Sequence, residues 1–578
     1  MLPAQAPTSI PKPLLLAIAF LQGLALLALY RALDAHHWPW HQPVYLYPLA
    51  TVALITPILC LLSFTHGRIA HYAQWIGVFT VSLLVAAAYT GWQLEPYDQV
   101  GAGSITFIFV VATLVASFKA LMYIQQRGSG QPISYASLFI FSWRNFLVLG
   151  LSLVFIGIFW SILFLCAQLF KVIKIDAVEN FIQHDWFVIP VLTLAFGFAI
   201  IIFRGLASII DTIAKVVQMA IKVLLPLLIA VAVAFLAALP FTGLQTLWGT
   251  GHGTLLILWL QVLVLFFLNA VYQDASHIRP YPNTIHRGIY CGVALLPIYS
   301  VIASFGLYAR IQHYGLSVER CWALMLWLLL ALFSCGYWWA IVSRRDHWIE
   351  KVSHVNIRMG WAVLIVAILA NTPLLDFKKI ALADQMRRLD KGLTTIDTLD
   401  VRYIVDNLGR SGYLQLEKLK LEYASTKPNF AQRIEAARNG YGVRGDTAEI
   451  TREQFAAGIK KVPEDFDIPE ALLSAIYKSS NKNDWERVIN HNYYLVKRDL
   501  NNDGQDDYVL LGAGTSSGRA ELWYDKNGAW TEAAMQSNKY LKITEIDSAI
   551  NSKTIEVIPH QWQQLKLGEL VFTVGAGH

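Results

Sequence analysis

KVLLPLLIAVAVAFLAALPF, residues 222–241, runs for twenty positions with a single charge, at its first residue. A helix of that length spans the roughly 30 Å hydrocarbon core of a bilayer. Comparable apolar runs lie on both sides of it, at about 14–30, 43–64, 72–92, 105–124, 145–170, 187–204, 254–272, 289–308, 321–342 and 359–375, so about eleven transmembrane helices are expected. The stretches SYASLFIFSW before the fifth span and GLASIIDTIAKVVQMAI before the seventh read as interfacial amphipathic helices. Composition agrees: of 578 residues 55% are hydrophobic and only 15% charged, with a mean hydropathy of +0.45. A globular chain carries about a quarter charged residues, so this balance excludes disorder and argues against an ordinary soluble enzyme.

Charge returns at ordinary density after residue 375. The expected organisation is a transmembrane bundle over 1–375, an extracytoplasmic helical region over 376–485, and a small β-rich domain over 486–578. The fold class is thus an α-helical polytopic membrane protein with a C-terminal soluble α+β domain, a helical neck followed by a small antiparallel sheet. Lys and Arg are kept in cytoplasmic loops, and here Arg68, Arg127, Arg144, Arg204, Arg344 and Arg345 fall on one side of the spans. With eleven spans the N-terminus is expected in the cytoplasm and the C-terminal part in a periplasm, the whole residing in a bacterial inner membrane. The first span has one basic residue before it, Lys12, and no convincing cleavage site after it, and reads as an uncleaved anchor.

GLYARIQHYGLSVERCWAL, residues 306–324, places Arg310 and Arg320 around a YGLS turn between two spans, and NTPLLDFKKIALADQMRRLDKG, 371–392, leaves the last span through a Leu-Asp pair into a helix with a Gln-x-x-Arg-Leu core. Together they resemble the bacterial multi-pass family known as domain of unknown function 4153. The resemblance covers the second half of the membrane region and the junction, with Thr372 departing from the pattern, and implies architecture, because that family has no established activity.

Beyond the junction, helices are expected over 380–391, 399–408, 412–424, 429–438, 451–461 and 468–478; from about 490 the period becomes two, with strand-like HNYYLVKRDL, DYVLLGAG, RAELWYD, AWTEAAM, TIEVIPH and GELVFTV. Between the first two of these lies DLNNDGQDD. Asp499, Asn501, Asp503, Gln505 and Asp507 stand at alternate positions around Gly504, the spacing a hard Ca²⁺ ion needs from oxygen ligands. Strands rather than helices flank it, Leu510 stands where an EF-hand has Glu, and the loop resembles single calcium loops of integrin-type repeats. The same residues favour a hairpin turn unaided, so a structural calcium ion and a plain turn are both open.

Other chemistry is sparse. Gln22, Gln261 and Asn269 lie within spans, while Lys119, Arg204 and Asp274 sit near span ends where snorkelling or loop solvation accounts for them. Asp34, His36, His37 and His41 form a loop read as interfacial rather than zinc-binding, and HIRPYPNTIHRG at 277–288 reads as a turn facing headgroups. Cys60, Cys166, Cys291, Cys321 and Cys335 read as small hydrophobes of the bundle. No P-loop, nucleophile elbow, CxxC pair or HExxH motif occurs. Three classes remain, each with the lipid bilayer and none with nucleic acid as partner: a non-enzymatic envelope scaffold or sensor meeting an envelope protein; a glycosyl or lipid-linked transferase using Asp34, Glu95 or Asp98; and a transporter. A carboxylate-lined cavity at the outer leaflet favours the transferase, a polar cavity at the midplane favours transport, and a filled bundle favours the scaffold.

Overall fold

A computed structural model of the protein describes residues 10–249, 252–272, 280–439, 452–463, 465–479, 493–500, 504–513, 518–526, 528–535, 565–567 and 570–572. Among these, eleven helical segments are long and apolar enough to cross a membrane, as expected, and the protein is a multi-pass membrane protein. In order they are α1 (Lys12–Asp34), α2 (Pro43–Ser63), α3 (Ile69–Gln93), α4 (Gly103–Gly128), α5 (Tyr135–Val172), a short α6 (Ala177–Gln183), α7 (Asp185–Gly205), α8 (Ala207–Thr242), a short α9 (Leu244–Gly249), α10 (Gly253–Val271), α11 (Asn283–Ala294) running into α12 (Leu296–Tyr314) as one span, α13 (Val318–Arg344) and α14 (Trp348–Leu369).

The two stretches expected as separate interfacial helices are instead the first turns of α5 and α8. Neither stretch contains a Pro or Gly once its helix has begun, Gly205 being the last residue of α7, and Ser134 starts α5 with its hydroxyl accepting from the Ser137 N–H at 3.2 Å. With 38 and 36 residues these helices are about 57 and 54 Å long, well beyond the roughly 30 Å apolar slab. The last span begins at Trp348 rather than 359, because WIEKVSHVNIRM is helical and anchors its first residue, 1% exposed, in the core.

The spans enclose two cores. One gathers Leu225, Ile257, Tyr299 and Tyr337 from α8, α10, α12 and α13; the other gathers Leu15, Leu61, Leu83 and Leu121 from α1 to α4 with Ile200 of α7, and α14 contributes to both. Outward faces are apolar, with Val78, Phe107, Leu153 and Val223 each more than half exposed, as lipid-facing side chains must be.

Contacts divide the chain into two units, Met1–Val443 and Arg444–His578. The first includes four helices beyond the spans, α15 (Phe377–Asp390), α16 (Val401–Asn407), α17 (Gly409–Glu422) and α18 (Pro428–Asn439), in the places the sequence expects. Phe377, Ala381, Ile404, Leu408, Leu416 and Ile434 close into a core that also takes in Val318 and Cys321 at the start of α13. We call these four helices the cap, and the end of the bundle it covers the junction end.

The second unit contains α19 (Arg452–Ala457), β1 (Ile459–Val462), α20 (Glu470–Ser479), β2 (Tyr493–Arg498), β3 (Asp507–Ala513), β4 (Gly518–Lys526), β5 (Ala529–Ala534), and a separate pair, β6 (Leu565–Leu567) and β7 (Leu570–Phe572). The helix expected over 451–461 ends at Ala457; Gly458 follows it, and Ile459–Val462 pairs parallel with β2. The five-stranded sheet, in order β1 to β5, is therefore mixed rather than antiparallel, its other three pairings being antiparallel. Leu495, Tyr508, Leu510 and Trp523 pack on Phe455, Leu472 and Ile476. The expected strand TIEVIPH, 554–560, lies outside the described residues.

Candidate functional site

Asp376 begins the chain's departure from the membrane. As the N-cap of α15 its Oδ1 accepts from the backbone N–H groups of Lys378 (3.0 Å) and Lys379 (3.3 Å), satisfying donors that the first helical turn leaves open. That leaves Oδ2 facing the end of α3, where it accepts from the Tyr89 hydroxyl (2.5 Å) and Gln93 Nε2 (2.8 Å). Only 5% exposed, this carboxylate joins span and cap through charge-assisted hydrogen bonds. Beside it Arg410 of α17 pairs with Glu95 at 3.4 Å, its guanidinium 5.1 Å from the Trp92 ring centre. Gly101 donates its N–H to the Val405 carbonyl at 3.2 Å, and a Cβ there would lie 2.8 Å from Asp406 Cα.

A second set of bonds holds the α12–α13 turn. Asp384 Oδ2 accepts from the Leu316 N–H (2.7 Å), Gln385 Nε2 donates to the Leu316 carbonyl (2.9 Å), and Arg388 donates to the His313 carbonyl (2.9 Å). Tyr403 accepts from the Val318 N–H at 2.7 Å. Gly315 takes φ +75°, and a Cβ there would meet Arg388 Cδ at 2.8 Å and Asp384 Oδ2 at 3.0 Å. The YGLS turn and the Gln-x-x-Arg helix, separate motifs in the sequence, are two sides of one contact.

Toward the opposite end, a cavity of about 400 Å³ opens between α4, α5, α10, α13 and α14. Its lining is largely aromatic and aliphatic, with Lys119, Asn269, Asn356 and Tyr135 as polar members. Asn269 Oδ1 accepts from Tyr135 (2.8 Å) and from Asn356 Nδ2 (2.6 Å), while Asn269 Nδ2 donates to Tyr337 (2.8 Å), so the amides satisfy one another. Lys119, expected to snorkel, instead lines this cavity, and among the described residues its ammonium has no ionic or hydrogen-bonding partner. Lys119 stands nine residues, about 14 Å, from the Gly128 end of α4 and about 5 Å from the helix midpoint, so the cavity runs inward from the end where Tyr135 and Asn269 lie toward the middle of the spans.

Of the carboxylates named from the sequence, Glu95 is engaged with Arg410, and Asp34 lines a wide, shallow hollow with Arg31, His37, Trp38 and Trp40. Asp98 lies in the turn Tyr97–Gln99, its side chain outside the described residues. The calcium-type loop is the β2–β3 hairpin. Gly504 has φ +82°, the left-handed turn its position requires. Asp499 accepts from the Gly504 N–H at 3.0 Å, and Asp507, 3% exposed, accepts from the Leu500 N–H at 3.0 Å. Asn501 and Asp503 lie outside the described residues, as does Asp274. Asp506 pairs with Lys497 at 2.8 Å, which raises the lysine's pKa through that hydrogen bond.

Sequence reasoning missed Asp376, Tyr89 and Gln93 as a group, although LLDFKK carries the cap signal for Asp376. A family model described as a domain of unknown function (DUF4153) matches residues 14–419, from α1 into α17, and stops short of the sheet. No curated protein and no solved structure matches the chain.

Proposed function

The chain belongs to the family described as domain of unknown function (DUF4153), and from that premise, which supplies an architecture and no activity, we propose that it is a scaffold or sensor of a bacterial inner membrane. In this reading the cap end is periplasmic, the N-terminus is cytoplasmic, and the unit Arg444–His578 meets an envelope partner. The observation that carries it is the junction: Asp376, Asp384 and Glu95, the carboxylates best placed for chemistry there, are engaged in fastening cap to spans. Such bonds make the cap and spans a single platform, which is what display or signalling needs. Orientation rests on Arg68, Arg127, Arg204, Arg344 and Arg345, all at the end away from the cap. The β2–β3 loop holds a structural Ca²⁺ through Asp499, Asn501, Asp503, Gln505 and Asp507, a reading supported by the left-handed Gly504 and the Asp499 to Gly504 bond.

Two observations favour other readings. Asp34 beside His37 in an open hollow suits a transferase, and Lys119, without a partner among the described residues, suits transport of an anion. A charge exchange separates the first two. Glu95→Arg and Arg410→Glu should each impair complementation of a deletion strain, and the double variant should restore it if the pair is a fastener. Failure of the double variant at normal protein level, or loss of complementation in Asp34→Asn, would favour the transferase.

A further inference from the structure

On the other side of α4 and α5 from Lys119, at the same end of the bundle, a cavity of about 420 Å³ is bordered by the ends of α2, α4 and α7 and the starts of α3, α5 and α8. That volume is within the range of small-molecule sites. Three guanidiniums line it, Arg68, Arg144 and Arg204, and none of its lining residues is acidic. Each arginine is held by a group that leaves donors over. Arg204 donates to the carbonyls of Leu61 and of Phe64 (2.9 Å), capping the end of α2. Arg144 makes a two-pronged bond to Asp211 at 2.7 and 2.6 Å, and Arg68 donates to the Ser129 carbonyl. Five donors on each planar fork exceed these uses, and one carboxylate, Asp211, answers three positive charges. A second observation is independent of charge: Ser63, 2% exposed, lines the cavity with a hydroxyl that has no hydrogen-bond partner among the described residues, a cost that structures rarely leave uncompensated.

We infer that this cavity binds a phosphate group, with Arg68 and Arg204 donating to its oxygens, Ser63 supplying a hydroxyl donor, and Arg144 contributing charge. Arginine forks match phosphate oxygens in pairs, and the position at the span ends is the depth of lipid headgroups. The group belongs either to an anionic phospholipid or to a free phosphate compound. This site is independent of the scaffold reading.

The test uses the purified full chain in nanodiscs of phosphatidylcholine alone, of phosphatidylcholine with phosphatidylglycerol, and of phosphatidylcholine with added inorganic phosphate, against chloride at equal ionic strength. The readouts are melting temperature and hydrogen exchange at the α2–α3 and α4–α5 turns. Stabilisation by phosphatidylglycerol alone assigns a lipid headgroup; stabilisation by phosphate assigns a free ligand. Arg68→Gln should weaken the effect about tenfold, because the exposed Arg68 holds one carbonyl and little else. Ser63→Ala should weaken it too, yet melt no lower than wild type without ligand, since it deletes an unsatisfied hydroxyl. A wild type that responds to neither phosphate source, or variants that respond as the wild type does, would overturn the assignment.

Discussion

Replacing Asp376 by Ala removes four hydrogen bonds from one side chain: two that cap α15 and two that reach Tyr89 and Gln93 of α3. Loss of a cap costs about 1 kcal/mol. Each bond to a buried charge is worth about 1.5–3 kcal/mol, but Gln93 Nε2 also donates to Tyr89 at 2.7 Å, so its donor is not wholly stranded. The discounted sum is about 3–4 kcal/mol, directed at the attachment of the cap rather than at the spans. Local opening of the cap should become favourable by that amount, and at 1.4 kcal/mol per tenfold, amide exchange in Phe377–Glu422 should quicken by roughly two to three orders of magnitude. Asp376→Asn keeps the capping oxygen and presents an amide to two donors, so roughly tenfold is expected. Hydrogen exchange by mass spectrometry on the chain in detergent reads both, with the spans α7 and α10 as internal controls. Exchange in Phe377–Glu422 within threefold of wild type for Asp376→Ala would refute the idea that this carboxylate fastens the cap.

Asn269→Ala should lower the melting temperature of the chain, at a cost of about 1–3 kcal/mol, because it strands the Tyr135 hydroxyl and the Asn356 amide N–H and leaves Tyr337 only its bond to Asn356 Oδ1; an unchanged melt would show the amide network to be solvated. If the β2–β3 loop binds calcium near 0.1 mM, 10 mM Ca²⁺ contributes about 2.7 kcal/mol and should slow exchange in Tyr493–Ala513 about a hundredfold, an effect absent in Asp503→Ala and weak with Mg²⁺. Equal exchange in calcium and in chelator makes the loop a turn. A phosphatase fused after His578 should be active if the C-terminal unit is periplasmic, and a fluorescent fusion bright there instead would reverse the orientation.

What is legible from the sequence follows the range of each interaction. The spans are visible because an unbroken apolar run of bilayer length is rare outside a membrane, and the cap helices because their periodicity is local. The continuation of α5 and α8 through their amphipathic turns is not, since a polar face reads the same whether or not the helix breaks beneath it. IKKV at 459–462 is too short to show its period, and its partner strand lies over thirty residues away. The junction is half visible: Asp376 and Gln385 stand in recognisable local motifs, whereas their partners are set by packing, Tyr89 being 287 residues from Asp376. Lys119 looks ordinary because span position predicts depth, and only the arrangement of five helices decides whether a side chain at that depth meets lipid or a cavity.

The cap reaches both halves of the bundle at once. Through Asp376 and the Val405 carbonyl it grips α3 and the turn into α4, which belong to the core of α1–α4 and α7; through Asp384, Gln385 and Arg388 it grips the turn leading to α13, which belongs to the core of α8 and α10–α13. The two halves are therefore stapled at one end, while the two cavities enclosed among the spans open toward the other. Of these two cavities only the one between α4, α5, α10, α13 and α14 lies between the halves, so a molecule wedged there would press on two halves that the cap and α14 together hold closed.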